Sequence, residues 1–427
     1  MPERKSADLI IRNASELVTM AGPAPRGGPA MAHIGLIADG AVAIRAGKIL
    51  AAGPTDDVLA RFCQSRGRPI DARGKTVIPG FVDPHAHLVF AGTRENELAM
   101  KLEGKSYLDI LRAGGGIQRT VRATRAASEK DLLRATLERL DRMLQYGTTT
   151  AEGKSGYGLD LDTEMRSLIV LELAGKKHPV DIVPTYLGAH SVPPEHQGRA
   201  DEYIDFIIER VLPEAARLGL ARFCDVFCEE GVFTVGQSRR LLLAAGRLGL
   251  GIKLHADELT RTKGAELAAE LGAVSADHLL KSSKEGLERM KEAGVIGVLL
   301  PGTSFSLMQR DYPDARMMVS LGLPLALATD LNPNCLTESM PFIIALACYN
   351  LRLSPSEALA AATINAACAI GLQHEIGSLE RGKKADLAIL DAPNHLHLPY
   401  HFGVNLVDTV IKAGKVVVSG GARVAKV

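Results

Sequence analysis

The chain has 427 residues, enough for two to three domains at roughly 150 residues each, although α/β barrels run longer as one. With 50 Lys and Arg against 49 Asp and Glu the net charge is +1, which excludes a basic stripe for nucleic acid and an acidic tail. A content of 46% hydrophobic and 23% charged residues excludes global disorder.

In chain order, residues 1–8 lead into a short strand at Leu9-Ile10-Ile11, without the long apolar core of a secretory leader. The Pro/Gly stretch 21–29 reads as a loose loop, and 40–50 as a second β-prone run. An apolar strand over 77–83 opens a long middle region in which strands alternate with helices. Its eight strand candidates end near Asp83, Gly153, Leu187, Phe227, Ala256, His278, Leu300 and Asp330. A short helix is expected after Tyr107, and a stronger one from Ser128, with Asp131 completing a capping box, as far as Gly147. Further helical patterns cover 162–174, 201–218, 234–248, 263–271 and 282–293, a short piece after Pro313, then 339–353 and 355–370. The tail returns to β structure at 385–390 and 409–418, around the turn Lys412-Ala413-Gly414-Lys415.

Eight β/α repeats predict an α/β fold, a (β/α)8 TIM-like barrel over 77–373. Both chain ends, 1–76 and 374–427, are expected to build one small composite domain, a β-sandwich. A doubly wound sheet is the alternative, but no Gly-x-Gly-x-x-Gly follows an early strand. The six cysteines are scattered without a CxxC pair, and no run approaches the roughly 18 apolar residues of a membrane span. Free thiols in a reducing, cytoplasmic compartment are the expectation.

Chemistry concentrates at the strand ends. The strand 77–83 runs straight into His85-Ala86-His87, two imidazoles that can point the same way at its C-terminal mouth. His255 ends strand five, His278 ends strand six and Asp330 ends strand eight. Barrel active sites lie at that face, where residues far apart in sequence converge. Histidines with one Asp there match a mononuclear catalytic metal centre with a position left open for water. The alternative, that each merely caps a strand, requires four or five coincidences at one face.

These segments resemble the amidohydrolase superfamily and, within it, the imidazolonepropionases of histidine degradation. The resemblance is carried by His85 to Arg94, Gly114-Gly115-Gly116-Ile117, Gly153-Lys154-Ser155-Gly156-Tyr157-Gly158-Leu159, Leu187-Gly188-Ala189-His190, His255-Ala256-Asp257-Glu258 and the tail segment His397 to Asn405. It implies one zinc or iron ion on His85, His87, His255 and Asp330. Arg94, Tyr107, Tyr157 and His190 would hold the substrate, with Glu258 and His278 beside the reacting carbonyl. It further implies hydrolysis of a cyclic amide C–N bond, 4-imidazolone-5-propanoate giving N-formimidoyl-L-glutamate. His278 would stabilise the oxyanion, and Asp330 or Glu258 would shuttle the proton. Asn332 and the two positions after Pro333 would line the product site. There the chain departs from the pattern, with Asn334 and Cys335 where small residues such as Gly and Ser or Thr are expected.

Some relatives bridge two metals with a carboxylated lysine. Lys154 follows strand two instead, and the strand-four end offers Glu229 as a weak second-metal candidate, so one ion is expected. Partners are a small molecule with a carboxylate tail and, by family resemblance, a second copy in a homodimer. No nucleic acid or membrane is expected. Two other functions compete: a deaminase of a heterocyclic base using the same ligands, and a non-catalytic scaffold barrel.

Overall fold

The computed structural model describes residues 4–65, 67–105, 109 and 114–424. Its central strands are β1 (Phe81–Asp83), β2 (Thr148–Lys154), β3 (Asp181–Ala189), β4 (Phe223–Cys228), β5 (Gly251–Ala256), β6 (Ser275–His278), β7 (Ile296–Leu299) and β8 (Leu325–Leu327). Strands buried on both faces are near-continuous apolar runs, and that burial is why their ends could be read from sequence. Each pairs in parallel with the next, from β1 to β8.

The ring closes beyond the last strand. Asp330 N–H donates to the His85 carbonyl at 3.0 Å and His87 N–H to the Leu331 carbonyl at 2.8 Å. Asp83 stitches the same seam, accepting from the Thr329 hydroxyl at 2.5 Å and its N–H at 3.1 Å. The His85-Ala86-His87 segment is therefore barrel wall, and closing the barrel is what brings it beside Asp330.

The strand expected over 77–83 is two strands. Thr76–Pro79 belongs to an outer sheet and only Phe81–Asp83 to the barrel. The break falls at Gly80, where a Cβ would meet Thr149 at 2.4 Å. The outer sheet takes Leu9–Val18, Leu36–Arg45 and Lys48–Pro54 from one chain end and Leu387–Leu390, Val407–Lys412, Lys415–Ser419 and Ala422–Arg423 from the other. Thr76–Pro79 joins the two halves by antiparallel pairing with Leu387–Leu390. Ile11, Leu17, Val42 and Ile44 share one apolar cluster with Leu387, Ile389 and Ile411, so the two halves pack on each other as a small β domain. Three of its hairpins repeat one turn: Ala46-Gly47, Ala413-Gly414 and Gly420-Gly421 all have positive φ, as a two-residue type I′ turn requires.

The helices differ from expectation in particular places. Ser128 caps Glu129–Gln145 by accepting from Asp131 N–H at 3.1 Å, but its hydroxyl then bonds the Asp131 carboxylate at 2.7 Å. The reciprocal half of a capping box is missing, because Asp is one methylene shorter than the Glu or Gln that closes one. Full boxes form instead at Thr234/Gln237 and Ser354/Glu357. The pattern over 355–370 is two helices, Pro355–Ala361 and Ile364–Ala369. Helices Glu95–Leu102 and Ile117–Ala126 were not anticipated, and the short helix expected after Tyr107 falls outside the described residues. The Pro/Gly loop 21–29 is pinned, not loose: the buried Arg26 guanidinium donates to the carbonyls of Met20 and Ala21 at 2.8 Å and also to that of His33.

Candidate active site

Five side chains meet at the barrel mouth. His85 and His87 follow β1, His255 lies in β5, His278 ends β6 and Asp330 follows β8, and all are buried. The Nε2 atoms of His85 and His87 lie 3.5 and 3.4 Å from the same Asp330 Oδ1. Two ligands on one tetrahedral zinc, each 2.0–2.1 Å from it, are about 3.3 Å apart, so this spacing suits a shared ion. Ligand atoms of His85, His87 and His255 lie within 4.8 Å of one another, as do those of His85, His278 and Asp330. Nε2 of His85 and of His255 and both ring nitrogens of His278 are buried without a hydrogen-bond partner, an arrangement that is costly unless something else fills it. The donor set fits one metal ion. Asp330 and His278 also hold positive φ, +49° and +76°, the kind of strained backbone that clusters at functional sites.

Electrostatics separate these groups. Burial drives His87 down to about 4 and both His190 and His278 well below the usual imidazole range, so those rings are neutral and able to donate a lone pair. Burial and the Lys154 charge oppose protonation of His85, but Asp277 and Asp330 outweigh them and lift it to about 9. Burial works against an ionised Asp330 too, yet the close imidazoles of His85 and His87 hold it well below the carboxylate range. Its other oxygen accepts from the Thr303 hydroxyl. Glu258 goes the opposite way: burial, then the Asp330 and Glu229 charges, raise it to about 8.

A cleft of about 460 Å³ opens over the cluster, lined by His87, Arg94, Tyr157, His190, His255, Glu258, His278, Asp330, Asn332 and Asn334. His190 stacks on His87 at 4.9 Å and donates its Nδ1–H to the Gly156 carbonyl, 3.1 Å away. Tyr157 packs 5.7 Å from His87, ring to ring. Arg94 is already engaged, its Nε and Nη2 donating to Glu97 Oε2 at 2.9 and 2.8 Å. Tyr107 lies outside the described residues. Asn332 Oδ1 accepts the N–H groups of Asn334 and Cys335, at 2.7 and 3.0 Å, and so shapes that turn. Asn334 then turns its side-chain oxygen to Lys101 Nζ at 2.7 Å. Cys335 points back to the Thr329 carbonyl and lines only an adjoining outer cleft of about 900 Å³, away from the histidines.

Glu229 is not drawn into the cluster. It accepts from the N–H groups of Leu259, Thr260 and Glu230 and from the Thr260 hydroxyl, which fixes the loop behind Glu258. Among the described residues it joins no group of metal-ligand atoms. Lys154 is a buried counter-ion, 2.7 Å from Asp225 and 3.0 Å from Glu152. Sequence reasoning missed Asp225, Asp277 and Glu97. Asp277 adjoins His278 and Glu97 stands three residues after Arg94, so only Asp225 lacked a local signal.

An eight-stranded barrel with a composite β domain and a His/Asp cluster at its C-terminal mouth defines a class of metal-dependent hydrolases. The chain belongs to the amidohydrolase family, whose model matches residues 76–417. Within it the chain falls among the imidazolonepropionases. The imidazolonepropionase of Symbiobacterium thermophilum is 54% identical, covering 98% of this chain and 99% of that one, and that of Geobacillus kaustophilus is 52% identical over 97% and 98%. A bacterial imidazolonepropionase-like composite domain model also matches residues 40–62. An adenosine deaminase from Xanthomonas campestris with bound zinc has a TM-score of 0.73 at 20% identity, covering 100% of this chain and 96% of that one. The guanine deaminase of E. coli has a TM-score of 0.72 at 16%, covering 96% and 99%. Those two likenesses show the fold alone.

Proposed function

We propose that this chain hydrolyses the ring amide of 4-imidazolone-5-propanoate to N-formimidoyl-L-glutamate in histidine degradation, with one zinc or iron ion on His85, His87, His255 and Asp330. The observation that carries the reading is the shared 3.4–3.5 Å approach of two histidine Nε2 atoms to Asp330 Oδ1, within a chain 54% identical to an imidazolonepropionase. A divalent ion held there supplies Lewis-acid chemistry, acidifying water near neutral pH and polarising a carbonyl.

The protein's own groups do the rest. Arg94 meets the substrate carboxylate through the end of its guanidinium, since no described residue meets Nη1. Tyr157 and His190 wall the ring against His87. His278, with both ring nitrogens unpartnered, donates an N–H to the oxygen of the attacked carbonyl as charge develops. Two carboxyls with opposed pKa shifts divide the proton work. Asp330, held ionised, accepts the proton of water. Glu258, raised by burial and 3.6 Å from His278 Nε2, holds a proton to give to the leaving ring nitrogen.

Elemental analysis of the purified enzyme should find one equivalent of zinc or iron, with turnover of imidazolonepropionate and none of guanine or adenosine. His255→Ala should lose both metal and activity. Two equivalents in active enzyme, turnover of a purine base in place of imidazolonepropionate, or full activity in His255→Ala would reject the assignment.

We also place the enzyme in the cytoplasm, because the described cysteines are all free thiols, as a reducing compartment keeps them. A homodimer is supported by the exposed aromatic pair Tyr349 and Phe402, stacked edge to face at 5.6 Å, and sedimentation equilibrium tests it.

A further inference from the structure

Beneath the histidines the barrel encloses Glu152, Lys154, Asp225, Lys253 and Asp277, none of them reached by water. Asp277 Oδ2 lies 2.5 Å from Nδ1 of His85. Asp225 Oδ2 lies 3.0 Å from Nδ1 of His255, at hydrogen-bond distance but out of line. Lys154 Nζ stands 2.7 Å from Asp225 Oδ2 and 3.7 Å from Asp277 Oδ2, so one ammonium holds both carboxylates. Lys253 braces the same floor, donating to the Pro84 carbonyl at 2.9 Å just before His85 and pairing with Glu152 at 2.9 Å.

We propose that Asp225 and Asp277 are positioning residues for the metal site, each holding the Nδ1–H of one histidine so that Nε2 is left as its ligand atom, with Lys154 coupling the two. The inference rests on the metal-site reading above and adds what selects the ligand atoms. A neutral imidazole carries its proton on one nitrogen, and a carboxylate facing that nitrogen fixes both tautomer and ring direction. The opposite nitrogens behave as expected: Nε2 of His85 and of His255 are buried and unpartnered, and that of His85 faces Asp330. His87 supplies the contrast. Its Nδ1 is buried without a partner, and its ring is instead held by stacking on His190. Were the carboxylates only counter-ions for Lys154, they would need no histidine nitrogen at 2.5–3.0 Å.

The first measurement uses the native chain loaded with zinc and labelled with ¹⁵N histidine. Nuclear magnetic resonance should find protonated Nδ1 and metallated Nε2 on both His85 and His255. The second is zinc competition against a chelator for Asp277→Asn and Asp225→Asn, with folding checked by circular dichroism. Each zinc dissociation constant should rise by about 10–100-fold. The double variant should lose less than the product of the two, because both act through Lys154. Metallation at Nδ1 of either ring, or folded variants within about threefold of the parent, would overturn the proposal. If a variant does not fold, the resonances of the parent decide. A parent chain that takes up no zinc or iron would instead bring down the metal-site reading itself, a separately visible failure.

Discussion

Arg94 reaches the cleft with one edge of its guanidinium already bound. Glu97 takes Nε and Nη2 on one oxygen and the Gly116 N–H on the other, at 2.8 Å, so the buried carboxylate joins the arginine to the glycine loop. What remains is the Nη1/Nη2 end, still able to form two parallel hydrogen bonds to a carboxylate. Charge-assisted bonds contribute about 1.5–3 kcal/mol each, and about 1.4 kcal/mol is a factor of ten. Arg94→Met should therefore lower kcat/KM for the propionate substrate by one to a few powers of ten with metal retained. It also strips Glu97 of its partner, so Arg94→Lys, which keeps a cation there but not the fork, separates folding from recognition. An analogue with a neutral tail should be poor for the parent and nearly indifferent to either change. Equal penalties on both substrates would mean that Arg94 acts through loop structure.

The loops that present the cleft are held by the elements behind them. Glu164, in the first turn of Leu161–Lys177, is buried and accepts the N–H groups of Gly156, Gly158 and Leu159 at 3.1, 2.8 and 2.9 Å. That turn carries Tyr157. Glu164→Gln sets an amide NH₂ against one of these donors and should cost about 1–3 kcal/mol of stability. KM should rise severalfold while metal content stays at one equivalent. A lowered melting temperature with an unchanged KM would restrict Glu164 to folding. Elements of this kind differ in how far the sequence discloses them. Most of the barrel strands were legible because burial on both faces favours apolar residues along them, and His85, His87, His255, His278 and Asp330 stood out as polar residues where such runs stop. Helices Glu95–Leu102 and Ile117–Ala126 were hidden because neither Arg94 nor Gly116 supplies a side-chain cap. Asp225 and the counter-ion role of Lys154 were hidden for another reason: each residue is a charge inside a strand, and the partner that explains it is 71 residues away.

At the scale of the whole molecule, the barrel and the outer sheet are joined by charge as well as by the chain crossing at Gly80. Asp181, at the start of β3, lies 2.8 Å from Lys412 and 3.2 Å from Lys384, both from the C-terminal part of the chain. Burial alone would raise the Asp181 pKa, but the two ammonium groups overcome it and hold it below the ordinary carboxylate value. A carboxyl whose pKa is lower folded than unfolded stabilises the fold above its unfolded pKa, about 3.9, and loses that contribution as pH falls through the folded value. The side chain is 42% exposed, so solvent screening keeps the effect to roughly 1 kcal/mol or less. Asp181→Asn should melt below the parent at pH 7 and at pH 5 by a similar margin. The gap should shrink as pH falls below about 4 and close once Asp181 is protonated in the folded parent, because the parent then has lost the same charge. Raising the salt concentration at pH 7 should narrow it as well, since a partly exposed pair is screened. A margin that stayed constant from pH 7 to pH 2.5 would assign the loss to packing around residue 181 and remove the ion pair from the barrel–sheet joint.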